Sequence, residues 1–221
     1  LIAACDERIS AAAMAGLLAR GRRRNRLRQP RIEFEDLPDA LAASLVHAVA
    51  AALRQHVPGV TSKDGHLQFG DAATSLLGAR DSHKAIDALT AALAKLLNEA
   101  KRLDEPMLET AAEEGDLAFL AHALGERAGI SGASAWDYLG DGDDGRLVLL
   151  LRLAGATRGF AARLLALLGD LVGIGDLGTE IARFDSMSHA DVQSVREWLR
   201  LDPSYRTALR VLGGDGGDRT V

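Results

Sequence analysis

Between Asp81 and Asp104 the apolar residues Ile86, Leu89, Leu93, Leu96, Ala100 and Leu103 recur every three or four positions. A turn of 3.6 residues brings such positions to one side of a helix. Lys84, Asp87, Lys95, Glu99 and Lys101 fall on the other. At 1.5 Å per residue that stripe runs for roughly 27 Å, and a stripe of that length needs a comparably long apolar partner. The stretch from Pro38 to His56 is the natural candidate. Asp36-Leu37-Pro38 reads as a helix start, with proline pre-set for the first turn, and Leu41, Leu45, Val49 and Leu53 read as its buried stripe. Pro58 and Gly59 stop it, Thr61 to Gly65 reads as a polar turn, and a short helix follows over Asp71 to Leu77. Either this pair closes an intramolecular core, or a second copy covers the seam by two-fold symmetry. In the second case Ile86, Leu89, Leu93, Leu96 and Leu103, or the Pro38 to His56 neighbour, form a homodimer interface.

Composition extends the helical reading to the whole chain. Alanine and leucine dominate, β-branched and aromatic residues are sparse, and no stretch alternates apolar and polar positions as a half-buried strand does. With 48% hydrophobic residues over 221 positions the chain can bury a core. Its net charge of −5 selects no partner class. No run approaches the roughly 18 apolar residues of a membrane span. The one cysteine, Cys5, excludes an internal disulfide and fits a reducing compartment, so a soluble cytoplasmic protein is expected. The opening at Leu1 rather than methionine leaves room for an upstream segment, a targeting signal included.

The two halves differ in texture. Residues 1–103 carry 15 basic and 11 acidic side chains, hence +4, while residues 104–221 carry 11 and 20, hence −9. The second half also has seven of the nine aromatic residues and more glycine. A boundary is placed near Asp104-Glu105-Pro106, giving a basic helical subdomain over 1–103, an acidic domain of short helical hairpins over 104–212, and a disordered tail over 213–221. Within the acidic domain Ala128-Gly129-Ile130-Ser131 and Ala154-Gly155-Ala156-Thr157 recur 26 positions apart. In each, glycine can close one helix in the left-handed conformation and the hydroxyl can cap the next. The expected fold is therefore all-α, a multi-helix bundle of stacked helical hairpins, HEAT-like in its second half. Ser188-His189-Ala190-Asp191 reads as a capping box, and Asp202-Pro203 as the start of a last helix carrying Tyr205, Leu209 and Leu212.

Motifs that would carry chemistry fail on context. Gly173-Ile174-Gly175-Asp176-Leu177-Gly178 spells a dinucleotide fingerprint, but a helical pattern precedes it where a strand is required, so it reads as an interhelical break. Asp141-Gly142-Asp143-Asp144-Gly145 clusters carboxylates, yet glycine, arginine and arginine stand at the fifth, sixth and twelfth places of the calcium loop. His47, His56, His66, His83, His122 and His189 make no zinc or di-iron spacing. His122 with Glu126 and His83 with Asp87 read as surface ion pairs. His47, a conceivable phospho-acceptor, reads as a helix-border histidine. No nucleophile elbow is present and Cys5 has no base beside it in sequence. No catalytic residue, cofactor or metal is expected.

The strongest charge feature is Arg20, Arg22, Arg23, Arg24, Arg26, Arg28 and Arg31, within twelve residues and without an acid among them. Guanidinium groups at that density suit phosphate, in nucleic acid or on an anionic surface. The same cluster also ends a helix, where positive charge complements the carbonyl end, and the acidic half offers a counter-surface. The structural reading takes precedence. Leu124-Gly125-Glu126-Arg127-Ala128-Gly129-Ile130-Ser131 has a helix-turn-helix spelling, but the following segment offers no basic residue to a duplex.

The opening from Leu1 to Leu18, the Asp36-Leu37-Pro38 start with Leu45-Val46-His47-Ala48-Val49, and Gly145-Arg146-Leu147 leading to Leu153-Ala154-Gly155 resemble the bacterial domain-of-unknown-function family 2336. The resemblance implies a helical bacterial protein without an established activity or an agreed site. The functional expectation is a noncatalytic helical protein-interaction module or regulatory adaptor with a protein partner. Polyanion binding through the arginine cluster is the alternative, and an enzyme with a site assembled only in three dimensions is the third.

Overall fold

A computed structural model of the chain describes residues 6–24, 29–56, 63–140 and 145–201, with Tyr205, Ala208, Leu209 and Leu212. Among these residues the structure is all-α, with no strand beyond an isolated backbone bridge between Arg24 and Pro30. It divides into two compact units, residues 1–93 and 94–221, and the change of unit falls inside a helix.

Unit 1 holds α1 (Glu7–Arg22), α2 (Asp39–His56), α3 (Lys63–Gly78) and the first part of α4 (Ile86–Glu99). Single 3-10 turns at Phe34–Asp36 and Ser82–Lys84 precede α2 and α4 and pack on each other. α1 begins where Asp6 accepts from the Arg8 amide, and it ends on Arg20 and Arg22, with positive charge at its carbonyl end. The expected short helix over Asp71 to Leu77 is longer and starts at Lys63, inside the segment read as a turn. Phe69, Ala73 and Leu77 recur every four residues and are covered to varying degrees, and α3 pairs with α2. That packing outweighs the low helix propensity of Gly65 and Gly70.

α4 is shorter than the seam suggested. Its backbone leaves the helix after Glu99, Lys101 adopts φ +55°, and the Arg102 amide bonds back to the Leu97 carbonyl. Fourteen helical residues replace the expected eighteen, and Leu103 is buried in the connection. The fully covered side chains are Thr90, Ala94 and Leu97, with Ile86, Leu89, Leu93 and Leu96 half-buried beside them.

Unit 2 continues through α5 (Glu105–Glu113), α6 (Leu117–Ala128), α7 (Gly132–Gly140), α8 (Arg146–Leu153), α9 (Arg158–Val172), α10 (Leu177–Ser186) and α11 (His189–Arg200). One device recurs at five of the junctions: a left-handed residue stops one helix, and an Asp, Ser or Thr one to three residues on caps the next; α8 instead starts on the uncapped left-handed Gly145, and α10 ends on an extended Met187. The pairs are Lys101 with Asp104, Gly115 with Asp116, Gly129 with Ser131, Gly155 with Thr157 and Gly173 with Asp176. In the repeated segments the Ile130 amide returns to the Gly125 carbonyl and the Ala156 amide to the Leu151 carbonyl, so both instances have the expected form. The glycine-rich run at 173–178 is likewise an interhelical break, in which Asp176 accepts from the Gly178 and Thr179 amides. Ser188 and Asp191 form the reciprocal capping box. Tyr205, Leu209 and Leu212 are helical. The Asp202-Pro203 start, the Asp141 to Asp144 cluster, the 213–221 tail and Cys5 lie outside the described residues.

α8 is the hub of unit 2, touched by α6, α7, α10 and α11. Leu147, Val148, Leu149, Leu150, Leu151 and Leu153 are all buried, so the helix is covered on nearly every side. Its last carbonyl, that of Leu153, accepts from Arg196, and those of Ala154 and Gly155 in the connection that follows accept from Arg127. Arg152, the one charged residue in the run, donates to the Met187 carbonyl and lies over the Phe184 ring at 4.9 Å. Glu105 and Glu109 on α5 tie that helix to α9 through Thr157 and Arg163.

Candidate interaction surface

The start of α2 is fixed by two arginines from other parts of unit 1. Arg23, just past α1, grips Asp36 with two parallel bonds, Nε to Oδ2 at 2.6 Å and Nη2 to Oδ1 at 2.5 Å. Its remaining donors reach the Ala19 and Lys84 carbonyls. Asp36 in turn accepts the Ile86 amide at 2.9 Å and the Glu33 amide at 3.2 Å. Both side chains of the pair are mostly covered, at 13% and 14% exposure. Burial pushes the Asp36 carboxyl upward, but the Arg23 hydrogen bond, the two amides and the Arg23 charge together hold it below the ordinary aspartate range. The hydrogen bond to Asp36 raises Arg23 against its own burial. Arg80, after α3, lies over Phe34 at 5.9 Å, donates to the carbonyls of Phe34, Glu35 and Leu37, and pairs with Asp39.

α2 leaves this clamp with no charged residue between Ala40 and Leu53. Its buried side chains are small, Ala42 and Val46. The stripe expected to be buried is not: Leu41 is 54% exposed, Leu45 48%, Val49 49% and Leu53 53%. The correction has a physical reason. α2 is apolar around most of its circumference, so the four-residue spacing of the leucines competes with an equally regular Ala42, Val46, Ala50 row. The smaller row lets two helices approach closely, and α2 pairs with α3. Ala48 and Ala52, beside the leucine ridge, are exposed as well.

The other sequence-derived sites fall in different places. Of the arginine cluster, Arg23 is committed to Asp36, Arg31 stands 3.9 Å from Glu33, and Arg20, Arg22 and Arg24 are exposed at the end of α1. Arg26 and Arg28 lie outside the described residues. The seam residues Ile86, Leu89, Leu93 and Leu96 are half-buried and Leu103 is buried, so they present less open surface than α2 does. His47 is exposed on α2. His122 fills the place of a side chain at Gly132, where a Cβ would stand 2.1 Å from its Nδ1, so α6 and α7 meet on glycine. Among the described residues no group of three or more His, Cys, Asp or Glu side chains is arranged to hold a metal ion, and no helix is long and apolar enough to cross a membrane. Trp136, the largest side chain of α7, is 48% exposed.

No curated protein matches the chain, and no solved structure does. One family model does match, over residues 1–196, described as an uncharacterised protein conserved in bacteria, DUF2336. That match takes in the α1 clamp, α2 and the stop-and-cap series through most of α11, and the chain belongs to this family.

Proposed function

We propose that the protein is a helical interaction module whose docking surface is the apolar face of α2, and that it works by holding a protein partner. The observation that carries this reading is the half-exposed ridge of Leu41, Leu45, Val49 and Leu53 on a helix with no Asp, Glu, Lys or Arg from Ala40 to Leu53. Single exposed leucines are ordinary, but an aligned row over three helical turns marks a surface meant to be covered. The Arg23 and Arg80 clamps support the same reading, because they pre-set the start of the helix and so lower the ordering cost of docking.

A photo-crosslinking residue at position 45, introduced in the native cell, tests the proposal. The expected product is one discrete protein adduct that disappears when Leu41 and Val49 are both changed to Asp. Reaction with lipid or solvent alone would overturn it.

A further inference from the structure

We infer that the partner seated on α2 is a second copy of this chain, so that two α2–α3 hairpins close into one shared apolar core. The inference rests on the docking reading above and names its occupant. Three observations converge on it.

The first is what unit 1 lacks. Among its described residues the buried apolar side chains are Ile9, Ala13, Ala19, Ala42, Val46 and Ala73, and only Ile9 and Val46 of these are larger than alanine. Met14, Leu17, Leu18, Leu41, Leu45, Val49, Leu53, Leu67 and Leu76 are all at least 40% exposed. A unit whose fully buried side chains are mostly alanine, while Leu17, Leu18, Leu41, Leu45, Leu53, Leu67 and Leu76 are exposed and Leu77, Leu89 and Leu93 only half-buried, leaves much of its apolar surface uncovered for a solitary chain. A second copy brings the same exposed α2–α3 surface to the same face and covers that part of the deficit in both.

The second is self-complementarity. The ridge residues are spaced by four, and exposed Ala48 and Ala52 form a shallow groove beside them. Ridges of i±4 spacing pack into grooves of the same spacing, so the Leu45 and Val49 knobs of one copy fit the alanine groove of the other. A charged partner finds nothing to pair with on this face, whereas an identical face meets it without stranding any charge. A lipid surface fits poorly for the same reason. Interfacial helices flank their apolar face with lysine and arginine, and α2 has no lysine and a single arginine, Arg54, whose Nε is buried.

The third is area. Half of each of four large side chains, with the exposed alanines between them, comes to roughly 500 Å² per copy, which meets the lower bound of about 1,000 Å² in total for a specific interface. Leu67 and Leu76 on α3 add further apolar surface to the hairpin.

Light scattering on the purified chain across micromolar and higher concentrations is the test. The wild type is expected at twice the 23.4 kDa chain mass. The double variant Leu45→Asp and Val49→Asp is expected at the single mass with unchanged helical circular dichroism, its dissociation constant weakened by more than about a hundredfold as like charges meet across the axis. Trp136→Ser, on unit 2, should leave the dimer intact. A monomeric wild type overturns the inference, and so does a dimer that survives the double variant. Should that variant unfold, Leu45→Cys or Val49→Cys in a Cys5→Ser background decides instead: an intermolecular disulfide under mild oxidation at either position supports the shared core, and none at both overturns it. Position 45 in the cell separates this inference from the docking reading. An adduct of two copies upholds both, an adduct with a different protein upholds docking and overturns the second copy, and no protein adduct overturns both. Vesicle binding by a monomeric wild type, lost in the double variant, would assign the face to membrane and overturn both.

Discussion

Units 1 and 2 use the same few residue types to opposite ends. In unit 2 most of the leucines are inside: Leu147, Leu150, Leu151, Leu153, Leu164 and Leu165 are at most 1% exposed, Leu167 and Leu171 on α9 being exceptions, and the helices turn back on one another mostly through left-handed stops and hydroxyl or carboxylate caps. In unit 1 the first three helices are longer, four of the six buried apolar side chains are alanines, and most of the leucines are exposed. Apolar content therefore does not decide whether a helical unit is complete. What decides it is whether the connections return the chain often enough to cover its own large side chains. Unit 2 does so through short turns. In unit 1 polar clamps fix the ends of the helices while the apolar middle of α2 stays open.

The largest expected effect contrasts two leucines. Leu150→Ala empties space in a fully buried site at the hub and should cost about 3 kcal/mol or more in denaturant unfolding. Leu45→Ala, measured where copies are dissociated, should cost no more than about 0.5 kcal/mol. Equal losses would erase the distinction between the units.

The Arg23–Asp36 pair comes next. Arg23→Met leaves a mostly buried carboxylate without its cation and should cost about 2–4 kcal/mol, felt in unit 1. The pH dependence has a definite sign. Because the folded Asp36 sits below its ordinary value, its contribution is fully present above the unfolded aspartate range near about 4 and is lost as pH falls through the lower folded value. Asp36→Asn should flatten that part of the acid unfolding profile of unit 1, as followed by Phe34→Trp fluorescence. An unchanged profile would mean that the clamp does not hold the start of α2.

The sequence made the connections of unit 2 legible and the faces of unit 1 illegible. Gly129 with Ser131, Gly155 with Thr157 and the Ser188 to Asp191 box are local devices, whose partners lie within five residues, and they form as read. The exposed leucine face of α2 was hidden because periodicity ranks faces only when a helix has a polar side. On α2 the leucine row and the alanine row are both apolar, and the choice between them depends on how closely α3 approaches. The role of Arg23 was hidden for the opposite reason, since its partners Asp36 and Lys84 are 13 and 61 positions away. Among seven clustered arginines nothing local singles it out. The same distance effect concealed His122 against Gly132.

The smallest effects come from glycine and again differ between units. Gly129 has φ +75°, so Gly129→Ala should destabilise unit 2 by about 1–2 kcal/mol. Gly70 lies inside α3 with no atom within 4 Å of where a Cβ would stand, and Gly70→Ala should stabilise unit 1 by about 0.5–1 kcal/mol. Thermal unfolding of both variants checks the pair of signs.

Amide hydrogen exchange as a function of protein concentration separates a shared core from a self-sufficient unit 1, since only an element completed by a partner gains protection by mass action. Exchange in α2 and α3 is expected to slow as concentration rises, while α8 and α9 exchange at a fixed slow rate throughout. Exchange in α2 that is independent of concentration, and as slow as that of α8 in the dilute chain, would show that unit 1 is complete by itself and would overturn the shared core.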